Sequence, residues 1–266
     1  MKAAPDHSFA ICAYGKSPFL PQCIESVLSQ GNVESEVFIA TSTPSDWLNS
    51  VAHEYGLRVF LNEGEHGIGQ DWNYAYSCAR GRYITIAHQD DVYCESYAET
   101  SVRMMDESKH PLIFFCDYGE QRGDEVVYDS PNLKVKRLLL RGLVDGKNAE
   151  SISARRRALS LGCPICCPSV TLSRQNCPTI PFQTAMKCSL DWDTWEHLSR
   201  MKGAFVYSSK RLMLHRIHDE SATTKLIADE TRSHEDLEMF RRFWPKPVAA
   251  IINSLYSASQ RSNQLT

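Results

Sequence analysis

The sequence predicts an α/β fold in which helices flank both faces of a mainly parallel β-sheet. Short apolar runs alternate with segments whose apolar residues recur at helical spacing. Residues that favour turns separate the two kinds of segment. The length of 266 residues, with 42% hydrophobic and 23% charged side chains, is typical of a globular chain that buries an extensive core. Such an alternation implies right-handed crossovers, and ligands of these sheets bind at the carboxyl ends of the strands.

The first half of the chain carries the alternation most clearly. The predicted strands are residues 9–13, 36–40, 57–61 and 82–87. Ser17-Pro18 and Thr43-Pro44 each predict a helix start, with an N-cap residue followed by proline at the first helical position. A third helix is predicted around Trp72, after a loop that contains three glycines.

The second half is less regular. Further strands are predicted at residues 112–116, 168–172, 204–207 and 212–214, and helices at residues 95–107, 133–143, 191–202 and 225–243. Between residues 118 and 161 the chain is polar and broken. We therefore expect one domain with two lobes that divide near residue 117.

Charge and terminal composition exclude several classes of protein. With 29 basic and 32 acidic side chains the net charge is −3, so a nucleic-acid partner is disfavoured. The first apolar run lasts five residues, whereas a signal peptide needs about 7 to 15 and a membrane span about 20. We expect a cytoplasmic protein whose ten cysteines are reduced thiols.

The sequence lacks two common nucleotide-binding motifs. Gly15-Lys16-Ser17 follows the first strand, but Ala10 stands where a phosphate-binding loop needs glycine. No Gly-x-Gly-x-x-Gly follows that strand either, which disfavours a dinucleotide-binding dehydrogenase.

Five cysteines raise a separate hypothesis of a structural zinc site, namely Cys163, Cys166, Cys167, Cys177 and Cys188. The alternative is that they pack as small hydrophobic residues, since their spacing lacks the second tight pair of a zinc ribbon.

His88-Gln89-Asp90-Asp91 lies where the fourth strand ends, at the edge where ligands bind. Adjacent carboxylates repel each other unless a cation or donor neutralises them, and Mg²⁺ or Mn²⁺ held by carboxylates and substrate phosphates is a recurrent arrangement. The alternative is an acidic loop that caps the helix at residues 95–107.

Around this motif the sequence resembles the family 2 glycosyltransferases, which have the Rossmann-like GT-A fold. Four blocks in the family's order carry the resemblance, at residues 9–30, 62–91, 190–195 and 214–223. They include the helix sequence IESVLSQ, the segment ARGRYI that leads to His88, the segment LDWDTW, and the closing segment LHRIHDESAT. Together they cover most of residues 8–224.

The resemblance implies inverting transfer of a sugar from a nucleotide-sugar, most often a UDP-sugar. The implied metal ligands for Mn²⁺ or Mg²⁺ are Asp90, Asp91 and His218. Asp191 corresponds to the general base, although aspartate there would also suit a helix N-cap. The implied cofactor-binding residues are Ala13, Tyr14, Thr41, Ser42, Asn73, Asp90 and Arg216, with an ion pair as the alternative for Arg216. The resemblance implies that residues 1–117 form a nucleotide-sugar-binding lobe and that residues 118–224 form the acceptor-binding and catalytic lobe of the same domain. Residues 225–266 would form a helical tail.

Four positions depart from the family's pattern. Thr41-Ser42 replace an acidic pair that contacts the base of the nucleotide, which leaves the nucleotide open. His88 stands where aspartate is common, and Leu190 stands where glutamate usually precedes Asp191.

The expected acceptor is a glycan or a lipid-linked sugar in the synthesis of capsule, O-antigen or exopolysaccharide. Residues 241–246 mix basic and aromatic side chains, so the tail could contact the inner face of an anionic membrane or pack on the body of the protein. The alternatives for function are a catalytically silent member of the fold that binds nucleotide or glycan and, ranked last, a nucleotidyltransferase.

Overall fold

The computed structural model describes residues 4–218 and 231–264. Over these residues nine strands form one sheet in the order β3-β2-β1-β4-β8-β6-β9-β5, with β7 paired to β6. The strands are β1 His7–Ala13, β2 Ser35–Thr41, β3 Arg58–Leu61, β4 Tyr83–His88, β5 Val92–Tyr93, β6 Pro111–Arg122, β7 Glu125–Val127, β8 Thr171–Ser173 and β9 Ala204–Ile217.

Described helices pack on both faces of the sheet. They are α1 Leu20–Leu28, α2 Asp46–Glu54, α3 Ile68–Cys78, α4 Tyr97–Asp106, α5 Pro131–Leu140, α6 Ile152–Leu159, α7 Leu190–Ser199, α8 Thr231–Arg241 and α9 Lys246–Gln264. One core lies under α1, α2 and α4, and the other lies under α3, α6, α7 and the two C-terminal helices. The predicted α/β class is confirmed.

The N-terminal half follows the predicted parallel order. β1 pairs in parallel with β2 and with β4, so Ala13 lies beside Thr41, and Cys12 lies beside His88. The carboxyl ends of three strands therefore meet at one edge. Two helix starts differ from prediction by a few residues. α2 is capped by Ser45, whose Oγ accepts the backbone N–H of Leu48, and α1 begins at Leu20.

The C-terminal half is mixed rather than parallel. β8 is antiparallel to β4 and β6, whereas β6 and β9 pair in parallel over almost their full lengths. The two short strands predicted at 204–207 and 212–214 are one strand, β9, because register shifts opposite Cys116 and Asp117 let the pairing continue. The strand predicted at 168–172 overlaps β8 at residues 171 and 172, whereas a 3-10 helix covers Cys167–Ser169, since Pro168 has no N–H for a sheet ladder.

Residues 118–161 are more ordered than their polarity predicts. The charged run 155–157 lies in α6, where the buried Arg155 donates to the carbonyl of Met201 and lies over the ring of Phe205. Because these contacts are tertiary, apolar periodicity does not reveal them. Helix α9 lies within the helical tail predicted at 225–266, although helical spacing was recognised only up to residue 243, and residues 225–230 of that tail lie outside the described part of the chain.

The division into lobes at residue 117 stays a prediction, and β6 passes through that position without a break. In the sheet, β4 is hydrogen-bonded to β8, and β8 is hydrogen-bonded to β6, so strands from both predicted lobes belong to one sheet. The sheet brings β9, from the second lobe, to the carboxyl end of β4, from the first.

Candidate active site

The site lies at the carboxyl end of β4, where Asp90 and Asp91 form a turn before β5. Strand β5 pairs antiparallel with β9, and this pairing places His215 and Arg216 against the turn. The site therefore combines a loop from the N-terminal half with a strand about 125 residues later in the chain.

Asp91 is completely buried and is held by β9. Its Oδ1 lies 2.9 Å from Nδ1 of His215 and accepts the backbone N–H of Arg216 at 2.9 Å. Its Oδ2 has no hydrogen-bond partner within residues 4–218 and 231–264. Burial lowers the pKa of His215, but the adjacent Asp91 carboxylate more than offsets this, so the pKa lies above its usual value.

His88 faces the same carboxylate, with Nδ1 3.9 Å from Oδ2 of Asp91. The indole of Trp72 stacks on the His88 ring at 4.9 Å between centroids. Burial lowers the pKa of His88, so its imidazole is neutral near pH 7. Its Nε2 is buried and lacks a hydrogen-bond partner among the described residues.

Asp90 is bound by a second histidine. Its Oδ2 lies 2.9 Å from Nε2 of His218, which also makes an edge contact with the ring of Phe19. Burial raises the pKa of Asp90, but His88 and His218 more than offset this, so the pKa is below its usual value. Asp90 is therefore ionised at neutral pH.

A divalent metal ion fits this arrangement. His88, Asp90 and Asp91 each offer a ligand atom, and the three atoms lie within 4.8 Å of one another. Two of these residues carry buried polar atoms without a described partner, and bound metal would satisfy such atoms. Two carboxylates and one neutral imidazole suit Mn²⁺, whereas Mg²⁺ prefers oxygen ligands alone. The three-residue set contains His88 in place of His218, and the assignment of His218 as a ligand stays a prediction.

Arg216 is buried against the protein itself. Its Nε donates to the carbonyl of Asp90 at 2.9 Å, and its guanidinium lies over Phe19, with 4.3 Å to the ring centroid. Another donor bonds Oε1 of Gln22. These contacts fix the Asp90 turn, and contact between Arg216 and a phosphate stays a prediction.

The residues predicted to bind the nucleotide surround the same edge of the sheet. Ala13 ends β1 and is buried, whereas the side chain of Tyr14 is 71% exposed. The backbone of Tyr14 exchanges two hydrogen bonds with the amide of Gln89, at 3.2 and 2.9 Å. Tyr14 is thus held beside the turn that carries Asp90 and Asp91, with its ring exposed, and its contact with a nucleotide stays a prediction.

Three further predicted residues have partners within the protein. Thr41 Oγ1 accepts the backbone N–H of Thr43, and Ser42 donates to Asp71. The amide of Asn73 exchanges two 2.9 Å hydrogen bonds with the backbone of Phe182 and so ties α3 to the loop before α7. The predicted contact of Asn73 with the cofactor stays a prediction.

Asp191 lies in the first turn of α7 and is partly exposed. Its Oδ1 accepts the N–H of Trp192 at 2.7 Å, and the thiol of Cys163 lies 3.8 Å from Oδ2. Burial raises its pKa, partly opposed by the Trp192 N–H and by the charges of Arg232, Lys136 and His88. The helix N-cap position is filled by Ser189, so Asp191 is not the cap that the alternative interpretation required.

The five candidate zinc ligands do not converge. The only set of three or more potential ligands in the described ranges is His88 with Asp90 and Asp91. Cys177 bonds the carbonyl of Leu112, and Cys163 bonds that of Ile165, as small buried thiols do.

The basic and aromatic segment at residues 241–246 packs largely on the body of the protein. Arg242 forms an ion pair with the buried Asp193 at 2.6 Å, and Phe243 stacks on Trp192. The indole N–H of Trp244 donates to the carbonyl of Ser160 at 2.7 Å. The more exposed apolar side chains of the tail lie on α9, at Val248, Ile251 and Leu255.

Sequence reasoning placed His88 at the start of the motif that ends β4 but did not count it among the metal ligands, and it missed His215 altogether. Imidazole is itself a metal ligand, so the residue type at position 88 already allowed that role. His215 lies in the fourth block of the resemblance, directly before Arg216. Nothing in its sequence neighbourhood indicates that its side chain faces Asp91. Only the β5–β9 pairing brings that histidine to the turn.

The fold is that of solved glycosyltransferases. The mannosyltransferase PcManGT from Pyrobaculum calidifontis, solved with GDP-Man and Mn²⁺, superposes with a TM-score of 0.63 at 12% identity and covers 96% of this chain and 70% of its own. TarS 1-349 of S. aureus, solved with UDP-GlcNAc, gives a TM-score of 0.60 at 13% identity, with 93% and 70% covered.

The family model of Glycosyl transferase family 2 matches residues 8–176, more than half of the chain. The chain therefore belongs to glycosyltransferase family 2 and is a glycosyltransferase.

Its relatives by sequence are distant. An uncharacterised glycosyltransferase of Rickettsia prowazekii is 21% identical over 88% of this chain and 70% of its own length. The glycosyltransferase GlyG of Streptococcus pneumoniae is 25% identical over 46% of this chain and 42% of its own. Within the described residues, no helix has the length and apolar character needed to cross a membrane.

Proposed function

We propose that this glycosyltransferase inverts the anomeric centre of a nucleotide-sugar donor, with Asp191 as the general base opposite a metal site at His88, Asp90 and Asp91. The observation that carries the proposal is the cluster of His88, Asp90 and Asp91 at the end of β4, together with Asp191 in the first turn of α7. The charges of His88 and Asp191 act on each other's pKa, which supports a common site. A base and a diphosphate-binding cation on the two sides of one cleft are what a direct displacement requires.

In the proposed reaction the acceptor hydroxyl attacks the anomeric carbon from the face opposite the diphosphate. The new carbon–oxygen bond forms as the bond to the diphosphate oxygen breaks, and the hydroxyl proton passes to a carboxylate oxygen of Asp191. Burial favours this transfer because it raises the pKa of Asp191 towards the working pH.

When bound, the metal would neutralise the charge that grows on the departing nucleoside diphosphate. His88, Asp90 and Asp91 would hold it, and His215 and Arg216 would keep Asp91 in place. The donors in the complexes of PcManGT and TarS, GDP-Man and UDP-GlcNAc, support a nucleotide-sugar here, and we favour a UDP-sugar.

The first test is calorimetric titration of UDP, GDP and dTDP with Mn²⁺ and with EDTA. We expect one nucleotide to bind, and removal of Mn²⁺ to weaken its binding at least tenfold. Failure of every nucleotide to bind under both conditions would favour the catalytically silent alternative.

The second test compares the variant Asp191→Asn with the native chain. The assay measures release of the nucleoside diphosphate. Its donors are sugars linked to the nucleotide that binds in the first test, and a cell-envelope extract supplies the acceptor. We expect transfer to fall about 10²-fold to 10⁴-fold while the nucleotide binds as before. Asp46→Asn, at an exposed aspartate in the first turn of α2, is the matched control. Unchanged transfer by Asp191→Asn would remove the base assignment.

We place the reaction in surface polysaccharide synthesis, at the cytoplasmic side of the membrane, with a glycan or lipid-linked acceptor. The exposed stripe of Val248, Ile251 and Leu255 on α9 supports peripheral membrane contact through the tail. Ile251→Ser with Leu255→Ser should lower co-sedimentation with anionic liposomes severalfold, and equal sedimentation of this variant would count against the contact.

A further inference from the structure

Asp71, in the first turn of α3, is a carboxylate held by two neutral side chains. Its Oδ2 accepts the hydroxyl of Ser42 at 2.7 Å, and its Oδ1 accepts the amide N–H of Asn62 at 2.7 Å. Both Ser42 and Asn62 are buried. The orientation of the carboxylate is therefore fixed before any ligand arrives.

The carboxylate lies at the ligand-binding edge of the sheet. Ser42 follows β2 directly, and Asn62 follows β3 directly. Burial raises the pKa of Cys12, next to the end of β1, and the charge of Asp71 raises it further, which places Asp71 near that strand as well. The next residue along α3, Trp72, stacks on His88 of the metal site.

Asp71 retains capacity to bind a ligand. Each carboxylate oxygen accepts about two hydrogen bonds, and each of these oxygens accepts one from a side chain. The residue is partly exposed, and no basic side chain within the described residues forms an ion pair with it. An ionised carboxylate accepts hydrogen bonds and cannot donate them, so its partner must present an N–H or O–H group.

Resting on the proposed function, we infer that Asp71 selects the nucleotide of the donor by accepting the ring N–H of its base. Uracil, thymine and guanine carry such an N–H on the edge that they use for base pairing. Cytosine and adenine carry a bare ring nitrogen there, whose lone pair would face the carboxylate. The protein would thus accept uridine, thymidine or guanosine diphosphates and reject those of cytidine and adenosine. Thr41-Ser42 carry no carboxylate, and Ser42 instead orients the one supplied by α3.

The test uses the complete protein with Mn²⁺ and compares UDP, dTDP and GDP with CDP and ADP by calorimetry. We expect at least one nucleotide of the first group to bind about 10-fold to 100-fold more tightly than either of the second, as the loss of a hydrogen bond to a charged group predicts. Methylation of the ring nitrogen in the nucleotide that binds, as 3-methyl-UDP, 3-methyl-dTDP or 1-methyl-GDP, should cause a similar loss.

Asp71→Asn provides the reciprocal measurement, because the amide presents an N–H where the carboxylate presents only acceptors. We expect the variant to lose affinity for the preferred nucleotide about tenfold or more, to gain affinity for CDP, and to show little further loss with the methylated analogue. The matched control is Asp46→Asn, which neutralises an aspartate in the first turn of the neighbouring helix and should leave all these affinities unchanged.

The outcomes separate this inference from the proposed function. Equal affinity for UDP, CDP and their methylated forms, each dependent on Mn²⁺, would overturn the role of Asp71 and leave the donor site standing. Absence of binding by all five nucleotides would overturn both.

Discussion

The indole of Trp72 lies stacked on the imidazole of His88, with 4.9 Å between the ring centroids and 24° between the ring planes. Trp72 belongs to α3 and His88 ends β4, so the contact fixes the orientation of a candidate metal ligand from a neighbouring element. Groups that orient metal ligands in this way typically contribute a factor of about 10 to 100 to metal affinity.

Trp72→Ala is therefore expected to weaken Mn²⁺ binding about tenfold while the fold persists. Trp72→Phe, which keeps an aromatic face, should recover part of the loss. The measurement is titration of Mn²⁺ followed by electron paramagnetic resonance, with Trp47→Ala as a control for the loss of an indole elsewhere. Equal affinity in the alanine variant and the native chain would show that the stack does not orient His88.

The raised pKa of Asp191 makes a prediction about the dependence of activity on pH. The base must be ionised, so kcat/KM should fall as the pH drops through that pKa, at a pH above the usual value for aspartate of about 3.9. The positive charge of Arg232 lowers the pKa of Asp191, so Arg232→Met should move the acid limb of the pH–rate profile to higher pH. A shift to lower pH would contradict the assignment of this limb to Asp191.

Asp236 predicts a dependence of stability on pH. It is buried and accepts the hydroxyl of Ser189 at 2.8 Å, and burial raises its pKa from 3.8 to about 6. Because the folded chain then holds this proton more tightly than the unfolded chain, the contribution to stability is present below about pH 4 and is lost as the pH rises through about 6.

Asp236→Asn removes this ionisation. We expect the free energy of unfolding at pH 7.5 to rise by up to about 3 kcal/mol, and to change little at pH 4, as measured by urea denaturation. A variant that is less stable than the native chain at pH 7.5 would show that the ionised carboxylate stabilises the fold, through Arg232, more than its burial costs.

Close packing against β1 explains why residue 81, in the segment that leads to the candidate metal site, is glycine. A Cβ at this position would lie 2.7 Å from the backbone carbonyl carbon of His7, and the backbone N–H of Gly81 already bonds Ser8. Gly81→Ala should destabilise the protein by roughly 1 to 3 kcal/mol, since β1 would have to move away. Gly31→Ala is the matched control because open space surrounds that position, and equal unfolding midpoints for the two variants would contradict the clash.

The parts of the fold that could be predicted are those whose cause lies close by in the sequence. The alternation of apolar runs before residue 117 produced the strands β1 to β4 within a few residues of their observed bounds. In contrast, α6 carries consecutive arginines whose contacts, such as Arg155 with Met201 and Phe205, lie about 46 residues away in sequence. The local spacing of apolar residues cannot reveal partners that are so distant in sequence.

The site divides in the same way. Asp90 and Asp91 could be found because paired carboxylates at a strand end need a cation, and Asp191 because it lies in a segment that resembles the family's. The roles of His215 and Asp71 could not be found, because each depends on a hydrogen bond between elements that only the folded sheet brings together.

The pairing of β9 with β6 and β5 also determines when the site can form. Asp91 receives both of its described hydrogen bonds from residues 124 and 125 positions later, whereas the family model ends at residue 176. A nascent or truncated chain that lacks β9 would leave this carboxylate without its donors, and closing so long a loop is a slow step in folding. We therefore expect the chain to bind metal only after β9 has paired with β5 and β6. Metal binding would then indicate that the whole sheet has been synthesised and folded.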